Sequence, residues 1–241
     1  LDLEKHFSKN YFTHFPQYMG DYGKEIIEGG DYSPDVDVDI TNSLNNRLLK
    51  LLQYLENNDP SENWGSYYTG NTIQWHKIIV SGHSQGGGHD ANIAKRHQVK
   101  RCLMFASPND YSCFFSAPAQ WLADVSSSPY SVYFGFNNLY DDVVDFSNQF
   151  EIWNELNMPH FGDSLNVDLT ADFFSSHQLY TTTIGSTAND NHSLMIRDDQ
   201  TPLDAFGRSV FEPVWEYMLG ITAGLDVIEN NTSLIHICQT Q

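Results

Sequence analysis

Basic residues are scarce in this chain: 12 lysines and arginines stand against 31 aspartates and glutamates, giving a formal net charge of −19. A surface of that sign repels nucleic-acid phosphates and anionic lipid, so no nucleic-acid partner is expected. Cysteine is scarcer still, with only Cys102, Cys113 and Cys238. Three thiols cannot build a dense disulfide framework, and no Cys-x-x-Cys spacing offers zinc a site. A Cys113–Cys238 pairing stays open, while Cys102 falls in an apolar segment and reads as an inert core thiol. No apolar run is long enough to span a bilayer, so no transmembrane segment is expected. No basic, apolar leader stands at the start of the sequence, which leaves the compartment unknown, with an extracytoplasmic setting favoured.

What the sequence does hold is the composition of a folded globular protein, 40% hydrophobic and 14% aromatic over 241 residues. That size suits one α/β domain spanning 1–241, with a core over about 40–220. Residues 1–40 lack a clear period and read as mostly loop. Thr41 is placed to cap a helix whose leucines, Leu44, Leu48, Leu51, Leu52 and Leu55, recur at helical spacing until Asn57–Pro60 stops it. The pattern then predicts strands near Ile78–Val80, Cys102–Ala106, Ser131–Phe136 and His177–Ile184. Helices are predicted from Gln85 to about His97, from Phe146 to Asn157, and from Pro202 to Leu219. Strands alternating with helices imply a mostly parallel sheet with right-handed crossovers, flanked by helices.

One stretch, KIIVSGHSQGGG from Lys77 to Gly88, carries chemistry. It runs a buried strand into Gly82-His83-Ser84-Gln85-Gly86 and out into a helix. This is the Gly-x-Ser-x-Gly pattern of a nucleophile elbow, where a serine on a sharp turn exposes its hydroxyl at the top of a sheet. Gly82 and Gly86 fit the positions where strand and helix crowd together. The turn also aims the backbone N–H of Gln85 at the place where an oxyanion would form. Phosphate-loop spacings do not fit these glycines.

A serine hydroxyl needs a base, usually histidine, which a carboxylate holds in the right tautomer. In this architecture the order is Ser, acid, His, each beyond a strand. Asp141 and Asp142 follow the third predicted strand, and His192 follows the fourth. Asp141 is preferred because a β-branched pair, Val143 and Val144, follows one residue beyond it; Asp142 is the fallback and Asp145 the third choice. His177 begins a strand instead, and His83 and His89 read as lining or packing.

With WHKIIVSGHSQGGGHDANIAKRHQVKRCLMFASPND, GFNNLYDD, SSHQLYTT and NHSLM in view, the chain resembles an α/β-hydrolase of a poorly characterised branch over roughly residues 40–220. The resemblance implies a serine hydrolase, esterase or lipase, that cleaves a small-molecule carboxylic ester. Its triad would be Ser84, Asp141 and His192, with Gln85 in the oxyanion hole. Triad chemistry needs no metal and no organic cofactor. An acyltransferase using the same triad, or a non-catalytic binding module on the same fold, are the alternatives.

The pattern breaks in front of the elbow. The 76 residues before Lys77 contain no His-Gly-Gly loop and no pair of buried strands, so a missing amino-terminal portion or a shortened sheet with a rebuilt oxyanion hole is expected. Asp35, Asp37 and Asp39 resemble the start of a calcium loop, but Ile40 and Asn46 stand where that loop needs Gly and Glu, so an acidic solvated strand face is the better reading. Sequons begin at Asn191, Asn230 and Asn231. A glycan on Asn191 would crowd His192. The aromatic loop with Trp64, Tyr67, Tyr68 and Trp75 reads as packing at the sheet edge before it reads as an acyl pocket.

Overall fold

The computed structural model describes residues 16–170, 172–187 and 190–221. Its centre is a five-stranded parallel sheet formed by β1 (Ile79–His83), β2 (Arg101–Phe105), β3 (Tyr133–Asn138), β4 (Leu165–Asn166) and β5 (Gln178–Thr181), in the order β1-β2-β3-β5-β4. All four pairings are parallel, with Ile79 opposite Arg101, Cys102 opposite Tyr133, Gly135 opposite Gln178 and Leu165 opposite Leu179. Helices flank it: α1 (Tyr18–Glu28), α2 (Leu44–Asn58), α3 (Gln85–Arg96), α4 (Phe146–Glu155), the short α5 (Asp190–Ser193) and α6 (Glu212–Leu219). This is an α/β architecture.

Strand alternation builds the two cores. Cys102, Met104 and Tyr133 join one buried cluster with Ile27 of α1, Leu52 of α2, Ile93 of α3 and Trp153 of α4. Their neighbours Leu103, Phe105, Phe134 and Phe136 point to the opposite face and join Leu194, Phe211, Val214 and Met218. Successive side chains leave a strand on opposite faces, so a sheet covered on both sides must be apolar without interruption. That is why these strands are legible as continuous hydrophobic runs.

Several expectations change. Within residues 16–40, Tyr18–Glu28 forms an 11-residue helix where no period announced one, with Ile27 fully buried; residues 1–15 lie outside the described residues. Ser43 caps α2 in place of Thr41, its hydroxyl accepting the Asn46 N–H at 3.3 Å. Pro202 opens no helix: residues 202–210 form a turn closed by a Leu203–Ser209 bridge, and the last described helix begins at Glu212 with Pro213 in its first turn. The two-residue edge strand β4 makes a fifth strand that no sequence signal announces. Asp35–Asp39 is loop and no strand face. Before it, the buried Glu25 carboxylate accepts the backbone N–H groups of Tyr32, Ser33 and Val38 at 2.7–3.1 Å. Among the described residues no strand precedes Tyr68, and β1 stands at one edge of the sheet. The segments holding Asn230, Asn231 and Cys238 lie outside the described residues.

No helix among the described residues is long and apolar enough to cross a membrane.

Candidate active site

Ser84 sits between β1 and α3 with φ 56° and ψ −123°, a left-sided backbone conformation that L-residues avoid unless their surroundings impose it. What imposes it is the strand–helix junction. A Cβ on Gly82 would collide with the Gly86 carbonyl carbon and lie 2.6 Å from the Gly87 nitrogen. One on Gly87 would lie 2.6 Å from the Ser107 Cβ. Gly86 is different from expectation, for a Cβ there meets nothing within 4 Å. The close approach of helix to strand therefore runs through Gly82 and Gly87.

At the carboxyl ends of the strands, Ser84, His192 and Asp141 meet. Nε2 of His192 lies 2.8 Å from Ser84 Oγ, and Nδ1 lies 2.8 Å and 3.0 Å from the two Asp141 oxygens. A carboxylate only accepts, so Nδ1 carries the proton and Nε2 accepts from the serine hydroxyl. Of the three candidate acids, Asp141 is the one bonded to Nδ1 of the histidine. Its Oδ1 also accepts the N–H groups of Val143 and Val144 at 2.9 Å each, which fixes the carboxylate plane and explains why the residues after it bear on its placement. Asp145 instead caps α4, accepting the Ser147 N–H at 2.8 Å.

The two loops that bring acid and histidine together are tied to each other. Asn138, at the end of β3, accepts the Tyr140 N–H and donates to the Thr183 carbonyl, both at 2.8 Å. Asn191, next to His192, donates Nδ2–H to the Tyr140 carbonyl at 2.9 Å and accepts the Gly185 N–H at 2.8 Å. The sequon asparagine is thus a clamp between the acid loop and the histidine helix. His83 packs its ring against His192 with centroids 4.8 Å apart. Burial holds its pKa below the ordinary histidine value, and the neutral ring donates Nε2–H to the His192 carbonyl at 2.8 Å.

His177 and His89 have packing roles. His177 is sandwiched between Phe134 and Phe161, at 3.9 and 4.4 Å. His89 is buried in α3 and pushed down to about 4 by that burial. Tyr67 and Trp75 are core residues, with Trp64 and Tyr68 packed against them, so the aromatic loop serves the core. Gln85 opens α3, and its N–H, the first of the helix, has no carbonyl a turn earlier to bond. Asn109, which nothing in the sequence singled out, reaches Ser84 with its Nδ2 3.4 Å from Oγ. No group of three or more His, Cys, Asp or Glu side chains among the described residues is arranged to hold a metal ion.

No protein-family model, curated protein or solved structure matches the chain. The functional reading therefore rests on the geometry of Ser84, His192 and Asp141.

Proposed function

We propose that the chain is a serine hydrolase that cleaves carboxylic esters through an acyl-enzyme on Ser84. One observation carries this reading: the unbroken hydrogen-bond chain from Ser84 Oγ through His192 to the buried Asp141 carboxylate. Ser84 Oγ attacks the ester carbonyl carbon while its proton passes to His192 Nε2, and the carbonyl electron pair moves onto oxygen. Asp141 stabilises the imidazolium and keeps its orientation. Collapse of the tetrahedral intermediate breaks the bond to the alcohol, which leaves with the proton from His192. Water then enters by the same steps in reverse, releasing the acid and Ser84. The Gln85 N–H, at the positive end of α3, supplies one donor to the oxyanion.

Intact-mass labelling with a fluorophosphonate tests the reading on the chain itself, on Ser84→Ala and on His192→Ala. A single adduct on the wild-type chain that is lost in both variants supports it. A folded wild-type chain that takes no adduct sinks it. Where the adduct forms, product analysis of ester turnover with and without added alcohol separates hydrolysis from acyl transfer.

A further inference from the structure

The geometry points to Asn109 as the second donor of the oxyanion hole, held in that role by a buried relay of side-chain amides. This inference rests on the serine-hydrolase reading above. An amide can be turned end for end without changing its shape, so its polarity must come from its partners. Here the polarity is set at the far end. The backbone N–H of Ser107, which can only donate, bonds to Asn137 Oδ1 at 3.1 Å. Asn137 must then present Nδ2, which donates to Gln149 Oε1 at 2.8 Å. Gln149 in turn presents Nε2, which donates to Asn109 Oδ1 at 2.9 Å. Asn109 is left with one orientation, Nδ2 towards Ser84.

Asn137 and Gln149 are completely buried, where an amide with a missing partner is destabilising. Packing alone would be met more cheaply by apolar side chains of the same size. What the relay adds is direction, since each link forces the next and the last delivers an N–H to the nucleophile. At 3.4 Å that contact is long for a resting hydrogen bond. Such a spacing suits a donor whose target is the oxygen of the attacked carbonyl, which forms beside Oγ in the tetrahedral intermediate. Gln85 N–H and Asn109 Nδ2–H then make a two-donor hole without any loop from the amino-terminal side of the sheet.

The test measures kcat and KM for p-nitrophenyl acetate on the wild-type chain, Asn109→Ala and Asn109→Asp. Each rate is divided by the concentration of Ser84 sites titrated with a fluorophosphonate. Asn109→Asp keeps the side-chain shape and still accepts from Gln149, but has no N–H to give. Both variants are expected to lose kcat by about 10²- to 10³-fold with KM changed by less than about threefold, as for a donor used only in the transition state. A folded variant whose serine can no longer be titrated counts as complete loss. Retention of kcat within about threefold in either variant, or a rise in KM alone, would overturn the inference while leaving the hydrolase reading intact. Loss of the fold in both variants would make Asn109 a structural residue and overturn it as well. A wild-type chain with neither adduct nor turnover would bring down the hydrolase reading first, and this inference with it.

Discussion

The Asp141 carboxylate lies 2.8 Å from Nδ1 of His192, and its side chain is wholly shielded from solvent. Two backbone N–H groups from Val143 and Val144 share its Oδ1. The pair therefore fixes both the tautomer and the plane of the imidazole. Asp141→Asn leaves the volume unchanged but lets the side chain donate to Nδ1, which moves the imidazole proton to Nε2 and leaves Ser84 without a base. Ester turnover should fall about 10³- to 10⁴-fold, in line with the same change in a serine protease. The neighbouring Asp142→Asn should stay within about threefold, because both ring nitrogens of His192 are already engaged, Nδ1 by Asp141 and Nε2 by Ser84. Steady-state kinetics on the two variants compare them directly, and equal losses would contradict the assignment of the acid.

The glycines of the elbow divide in a way that their spacing does not reveal. Gly82→Ala and Gly87→Ala should each destabilise the fold by about 1–3 kcal/mol, because the new methyl meets backbone or a packed side chain that cannot move aside. Gly86→Ala should be tolerated, and replacing a helical glycine is worth up to about 1 kcal/mol in its favour. Urea unfolding of the three variants reads the ranking, and a destabilised Gly86→Ala would contradict the open space beside that position.

Much of this site was legible in the sequence, and the reason is topological. Catalytic groups in a parallel sheet collect beyond the carboxyl ends of strands, and strands covered on both faces announce themselves as runs such as Cys102–Phe105. Ser84, Asp141 and His192 could therefore be placed by chain order. The helix Tyr18–Glu28 was obscured by Gly20 and Gly23, residues that lower helix propensity. Their reason is tertiary, since a Cβ on Gly20 would press within 2.9 Å of Trp121. Gln149 and Asn137 carried no signal either. A buried amide looks like any polar residue until its partners, 12 and 40 positions away along the chain, are brought beside it.

Folded chain from a glycosylating host should carry no glycan on Asn191, because modification of its Nδ2 would break the bond to the Tyr140 carbonyl. Intact-mass analysis reads this directly. Asn191→Asp places an oxygen against that carbonyl in place of the donor. It should cost about 0.5–1.5 kcal/mol in unfolding free energy, and turnover should fall as the acid loop loosens from the histidine helix. A variant as stable and active as the wild type would show that the clamp is dispensable.

Asp110 gives the fold a pH dependence of defined sign. Burial raises its carboxyl from the ordinary 3.8 to about 6, against the lowering effect of the Trp121 indole N–H, which bonds to Oδ2 at 2.8 Å. Because the folded state holds this proton more tightly than the unfolded chain, between those two values it binds more protons, and the contribution of Asp110 to stability falls as pH rises through that window. At about 1.4 kcal/mol per pH unit, the full penalty above pH 6 is on the order of 2–3 kcal/mol. General charge repulsion in so acidic a chain also eases at low pH, so the wild-type profile alone does not isolate this residue. The comparison with Asp110→Asn does, since asparagine still accepts from Trp121 but never ionises. The variant should gain on the wild type as pH is raised from about 4 to 7 in urea unfolding, with most of the gain falling between the two Asp110 values. A difference that stays flat across the range would mean that Asp110 is ionised throughout and that the packing around it carries the charge without penalty.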